Sequence, residues 1–344
     1  MYKYRVHQGD HFGAKHYLAV ISANATSSRL IQLGPAEPID AAIDSFFYEL
    51  NGGSDLAPTW KALQRLVVQP VLAALPPGTR RMWPSPDSSF ALVPFASLMV
   101  DLRVPVTVSV IPSAYDFARL RPAAAAPGAG RALLVGALVY GKGGGNFKQL
   151  DSEGEVREVA KLTTGARLQI ITLSGSQATR AAIMNQIQDT QFVHLATHGF
   201  WSTSISSTVT GAFRSGGVAL SLANSGSADS LLTSEDILHL NLSGVQLVTL
   251  SACNSGQGNA TDGQALMGFQ TAFTAAGARS LLLSLWKVPD GATSAFMQEF
   301  YRGLWKSGLT KAEALRGAQN KLRANPDFAD QRNWAAWVLL GEAW

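Results

Sequence analysis

The chain has 344 residues, 47% of them hydrophobic and 15% charged, with 28 Lys and Arg against 24 Asp and Glu for a formal net charge of +4. That content supplies a sizeable core and excludes a wholly disordered chain, and basic residues scattered with no cluster tighter than Arg80-Arg81 argue against a nucleic-acid surface. A single cysteine, Cys253, excludes an internal disulfide and a four-cysteine zinc site, and it fits a reducing compartment.

The first ten residues lack the apolar stretch of a signal peptide, and no apolar run is long enough to span a bilayer, so a soluble cytoplasmic protein is expected. Strands are predicted at His16–Ala23 and Arg29–Leu33, and helices over Pro38–Leu50 and Pro58–Leu75. Short Pro-bounded strands are predicted at Arg81–Pro84 and Phe90–Phe95, then a strand at Pro105–Ile111. Arg121–Gly130 has two prolines, two glycines and no apolar period, the pattern of a linker.

Alternation restarts beyond it: strand Ala132–Val135, helix Glu153–Leu162, strand Leu168–Leu173, helix Thr179–Ile187 and strand Gln191–Thr197. A Ser- and Gly-rich stretch, Trp201–Asp229, surrounds the apolar run Val218–Leu222 and is expected as a long loop bordering the site. Strand Leu247–Ala252, helix Gln264–Ala276, strand Ser280–Trp286, helices Thr293–Trp305 and Lys311–Arg323, and strand Ala335–Leu340 complete the chain. This alternation predicts an α/β fold with a mostly parallel sheet flanked by helices.

Two of these strands end in chemistry. Leu247–Ala252 runs into Cys253 and the small-residue turn Asn254–Gly258; Gln191–Thr197 runs into His198-Gly199. The carboxyl ends of neighbouring strands in an open α/β sheet line one crevice, so the two side chains can meet there. A thiol with a pKa of about 8.5 is mostly protonated at neutral pH, and an adjacent imidazole arms it. The expected pair is Cys253 as nucleophile and His198 as base, with the main-chain N–H groups of Gly199 and Cys253 facing the oxyanion. A free cysteine also packs as a small hydrophobe, but one followed by a Gly-rich turn is better suited to admit a substrate carbonyl.

Other motifs carry less. His194 and His198 share a strand face but have no third ligand nearby in sequence, though Asp236 or His239 could approach in space; no metal is expected. Gly136–Gly143 nearly spells a phosphate loop, yet Gly143 stands where Ser or Thr should hold magnesium, so it is taken as a mobile loop. A G-x-S-x-G nucleophile elbow is absent. No cofactor is expected.

With His194-Leu195-Ala196-Thr197-His198-Gly199 and Leu250-Ser251-Ala252-Cys253-Asn254-Ser255-Gly256 in view, the chain resembles the CHAT family, caspase-like cysteine peptidases related to separases. The likeness continues through Gly263–Leu266, Ala272–Ala278, Ser284–Asp290 and Trp334–Gly341, and reaches back to Leu92–Ala96 and Ile111–Ser113. It implies a Cys253–His198 dyad in a catalytic caspase-like half, residues 126–344, and a degenerate caspase-like half, residues 1–125. It also implies a protein or peptide substrate cut after a chosen residue, and regulation by a partner or sensor module. Relatives in the wider group place an acid two residues before the cysteine, where this chain has Ser251. Candidate pocket residues are therefore Asp290, Asp229, Asp262 and Trp286, with Asp290 equally suited to cap the following helix. A catalytically silent CHAT interaction module and a small-amide hydrolase with the same dyad are the competing readings.

Overall fold

The structure, a computed structural model, describes residues 1–8, 11–24, 27–120, 130–142, 147–164, 168–201, 216–254 and 271–344. Two compact units divide the chain, Met1–Arg119 and Leu120–Trp344. The predicted linker, apart from Leu120 before it and Gly130 at its end, lies outside the described residues.

In the first unit β1 (Tyr2–Gln8), β2 (His11–Asn24) and β3 (Ser27–Pro35) form an antiparallel meander. Helix α1 (Ala36–Gly52) buries Ile39, Ile43 and Phe46 at helical spacing and ends at Gly53, whose φ of 75° suits a residue without Cβ. Asp40 ties this helix to the sheet, accepting from Tyr17 Oη at 2.7 Å and Lys3 Nζ at 2.6 Å. The predicted second helix is α2 (Ala57–Leu63) and α3 (Gln69–Ala74) joined by a π-helical turn, Gln64–Val68. Pro70 lacks an N–H and crowds the preceding turn, which widens to accommodate it.

β4 (Arg81–Met82) pairs in parallel with β5 (Thr107–Val108), and helix α5 (Ala114–Arg119) closes the unit. Between β4 and β5 the expected strand Phe90–Phe95 is instead a 3-10 turn, Ser88–Leu92, leading into helix α4 (Phe95–Asp101). Phe90, Phe95, Leu98 and Met99 are all buried, and a segment apolar on every side has no period to separate helix from strand.

The second unit is built on β6 (Gly130–Gly136), β7 (Leu168–Ser174), β8 (Phe192–Trp201), β11 (Leu247–Asn254) and β12 (Ser280–Ser284), all parallel in the order β7-β6-β8-β11-β12. The last strand, β13 (Trp337–Gly341), adds antiparallel to β12. β9 (Gly216–Ala219) and β10 (Leu231–Thr233) extend the far end of β8 antiparallel. The apolar run expected inside a long loop thus supplies a strand, because Val218 and Ala219 have a sheet edge to join. Residues Ala132–Val135 are fully buried, as central parallel strands covered on both faces should be.

Helices α6 (Ser152–Lys161), α7 (Arg180–Ile187), α8 (Ser234–Leu238), α9 (Asp290–Tyr301), α10 (Lys311–Ala324) and α11 (Gln331–Trp334) flank the sheet. Helix α9 packs against both α6 and α10. Thr233 and Thr310 begin α8 and α10 with reciprocal capping boxes to Asp236 and Glu313. The class is α/β with a mostly parallel central sheet.

Candidate active site

The register of β8 against β11 sets the centre of the site. His194 lies opposite Thr249, Ala196 opposite Ser251, and His198 opposite Cys253. Residues in register on parallel neighbours occupy one face, so these three pairs form a single column running toward the carboxyl ends of the strands. Both strands run slightly past His198 and Cys253, to Trp201 and Asn254.

His198 is 6% exposed, and its Nε2 donates to the Lys148 carbonyl at 2.6 Å. A carbonyl only accepts, so Nε2 carries the hydrogen and Nδ1 is the basic nitrogen. That Nδ1 is buried with no hydrogen-bond partner among the described residues. Tyr140 and Phe147 clasp the ring, their centroids 5.0 and 5.7 Å from it. Tyr140 Oη is in turn 3.0 Å from Thr197 Oγ1, and burial pushes the phenol up to about 12, so it stays protonated. Burial lowers the His198 pKa below its ordinary 6.5; the Lys148 bond opposes this, Lys287 lowers it further, and Asp290 raises it.

Gly136–Gly143, which precedes Lys148 in the chain, is expected from the sequence as a mobile loop. In the structure its described part is fastened: Leu138 and Tyr140 are buried, and Val139 and Tyr140 accept main-chain bonds from Leu222 and Asn224 at 2.8 and 2.9 Å. Gly143 lies outside the described residues.

Beneath the His198 position on β8 sits a buried polar group. Glu155 Oε1 of α6 stands 2.9 Å from His194 Nε2, close but without hydrogen-bond alignment. His194 Nδ1 is 3.2 Å from Tyr301 Oη of α9, which donates to Thr249 Oγ1 at 2.8 Å. Each imidazole on β8 therefore has its own separate surroundings, and among the described residues no group of three or more His, Cys, Asp and Glu is placed to hold a metal. A cavity of about 20 Å³ lies beside this group, lined by Glu155, Ala196, Thr197, Ser251, Asp290 and Thr293 among others.

The candidate pocket residues part company. Asp290 lines both this cavity and an adjoining open cleft of about 520 Å³, together with Ala137, Val139, Gln149, Leu150, Asp151 and Glu153. Its side chain makes no cap on α9; Oδ2 instead accepts from the Asp151 N–H at 3.3 Å. Asp229 is exposed and bound by Arg180 Nη2 at 2.8 Å, away from the cleft lining. Trp286 is buried, with Nε1 donating to the Arg332 carbonyl at 3.1 Å. Asp262 lies outside the described residues. Lys148, Tyr140, Phe147, Glu155 and Asn224 were not singled out from the sequence; Lys148 acts through its carbonyl and Asn224 on a peptide group, which side-chain type does not reveal.

The CHAT domain family model matches residues 57–342. The chain belongs to the CHAT-domain family. Among curated relatives, this CHAT chain is similar to tetratricopeptide repeat protein 28 of Mus musculus, 32% identical over an alignment 196 residues long that covers 49% of the chain and 8% of that protein. The Homo sapiens protein of the same name is 31% identical over the same shares. The CHAT chain thus spans a small part of the length of these relatives. Among solved structures it is similar to the Saccharomyces cerevisiae separase in its complex with securin, with a TM-score of 0.49, 13% identity, and coverage of 82% of this chain and 17% of that one. Gingipain R, an Arg-specific cysteine proteinase, gives a TM-score of 0.44 at 11% identity, covering 70% of this chain and 55% of its own. Among the described residues no helix is long and apolar enough to cross a membrane.

Proposed function

We propose that this CHAT domain is a cysteine endopeptidase in which Cys253 attacks a peptide carbonyl and His198 takes its proton. The observation that carries the reading is the register of His198 opposite Cys253, combined with an imidazole whose Nε2 is held by Lys148 and whose Nδ1 is buried without a partner among the described residues. The lowered His198 pKa keeps the ring neutral at physiological pH, the state that can accept a proton. The protonated ring then gives its hydrogen to the departing amine, leaving a thioester on Cys253 that water hydrolyses. The main chain at Gly199 and Cys253 borders the place where the oxyanion develops. The cleft that carries Asp290 takes the side chain before the scissile bond. The lone thiol calls for a reducing, cytoplasmic setting, and the repeat-bearing relatives are consistent with an appended sensor module and a protein partner that controls access.

The test is cleavage of a peptide library by wild type, Cys253→Ala and His198→Ala. Cysteine substitution should abolish cleavage and histidine substitution should lower it by roughly 10²–10⁴-fold. Cleavage that survives both substitutions refutes the mechanism, and cleavage of free amides in preference to peptides would move the protein to the amidases.

A further inference from the structure

We propose that Asn224 is a positioning residue for His198, acting by closing the loop that presents the Lys148 carbonyl. Its side chain makes three hydrogen bonds, all to main chain of that loop. Oδ1 accepts from the Phe147 N–H at 3.0 Å, and Nδ2 donates to the Phe147 carbonyl at 3.0 Å and to the Gly141 carbonyl at 3.2 Å. The amide thus replaces a strand partner for Phe147 and fastens the two flanks of residues 142–146 together.

The loop reaches the dyad directly from there. Phe147 lays its ring beside the imidazole, and the next residue, Lys148, supplies the carbonyl that holds Nε2. A shift of the loop by an ångström breaks a 2.6 Å bond and frees the ring to take the other tautomer, in which Nδ1 carries the hydrogen and cannot accept from a thiol.

The carrier of Asn224 is itself held in an uncommon shape. Leu222 has a φ of 65°, a left-handed conformation rarely used by a residue with a branched side chain, while its own side chain is 53% exposed. That turn delivers the N–H groups of Leu222 and Asn224 to the Val139 and Tyr140 carbonyls. Gly141, at φ 76°, allows the close approach, since a Cβ there would meet Leu222 Cδ2 at 3.3 Å. All three side-chain hydrogen bonds of Asn224 go to the segments flanking Lys148, and none of them reaches the sheet core.

This inference rests on the dyad reading, and two readouts separate their failures. The first is imidazole nitrogen NMR of the whole chain, with the His198 signals assigned by their loss in His198→Gln. Wild type should show the Nε2–H tautomer, and Asn224→Ala should show a mixture of tautomers with an unchanged melting curve. The second is the pH dependence of iodoacetamide alkylation, which reports Cys253 alone because the chain has one cysteine. Asn224→Ala should slow alkylation at pH 7 at least threefold. Should that variant fold poorly, Asn224→Asp serves, because it keeps the acceptor for the Phe147 N–H and loses both donations; it should fall between the two. Tautomer and alkylation unchanged in the Asn224 variants overturn the proposal. Alkylation indifferent to His198→Gln overturns the dyad reading, and the tautomer measurement still decides the role of Asn224.

Discussion

His198 gives its Nε2 hydrogen to the main-chain carbonyl of Lys148 at 2.6 Å, and this one bond decides which ring nitrogen is free to accept a proton. A carboxylate in that position would raise the imidazole pKa strongly; a carbonyl orients the ring while leaving burial free to lower it. The acid limb of the pH–rate profile should therefore lie below 6.5, the ordinary histidine value, and it belongs to the Cys253–His198 pair as a coupled system. Lys287 lowers and Asp290 raises the same pKa, so Lys287→Ala should move the limb to higher pH and Asp290→Asn to lower pH. Both shifts should shrink with added salt, because the two side chains are exposed. Limbs that move together, or not at all, remove these charges from the account. The stability sign follows from the same depression: as the pH falls from 6.5 toward the folded value, the unfolded chain takes up the proton first and the fold loses stability.

The Glu155–His194–Tyr301–Thr249 group should behave as a unit in unfolding experiments. Tyr301→Phe removes the hydroxyl that donates to Thr249 Oγ1 and accepts from His194 Nδ1, a loss of about 1–3 kcal/mol. His194→Ala takes the imidazole away from both the buried Glu155 carboxyl and the Tyr301 hydroxyl, and it should cost more. The double substitution should cost less than the sum, which a denaturant titration of the four chains measures. Additive losses would show that the contacts are independent.

The parallel sheet was legible because its strands are short apolar runs separated by helical patterns, and the juxtaposition of positions 198 and 253 was legible because each follows such a run. The partners of His198 were not. Lys148 acts through its carbonyl, which every residue has, and Asn224 acts on a peptide group, so neither announces itself by side-chain type. β9 was hidden by the Ser- and Gly-rich composition around Val218–Leu222; what makes it a strand is the open edge of β8 at Gly199–Trp201, a tertiary fact. The helix Phe95–Asp101 was hidden for the opposite reason, burial on all sides erasing its period.

Gly217 is the tightest point of that added edge. A Cβ there would collide with the Leu232 carbonyl oxygen and crowd the Phe200 ring, which lies within 3.0 Å. Neither neighbour gives easily, since one is main chain of β10 and the other sits opposite in the β8 register. Gly217→Ala should cost about 1–3 kcal/mol and lower the melting temperature, whereas Gly226→Ala, with open space around it, should suffer only the strain of its left-handed φ of 78°. Equal losses at the two positions would mean that packing at β9 is looser than its geometry.

At the amino ends of the strands, opposite the dyad, Lys311 is 5% exposed with its Nζ donating to Ser280 Oγ at 2.7 Å and the Gln246 carbonyl at 3.3 Å. Burial pulls its pKa down to about 7, against the attraction of Glu342 and with some help from Arg279. In the unfolded chain the same group titrates near 10.4, roughly the free lysine value. Between these two values the unfolded state holds a proton that the fold has released, so stability rises with pH across the window, by up to about 1.4 kcal/mol per pH unit. Below pH 7 both states are charged and this contribution is flat. Lys311→Met removes the titration and keeps most of the volume, so the stability of wild type minus that of the variant should climb from pH 7 toward pH 10. Unfolding midpoints taken across that range measure the difference directly. Parallel curves would mean that Lys311 keeps its charge in the fold and that its two oxygen partners, rather than deprotonation, accommodate it.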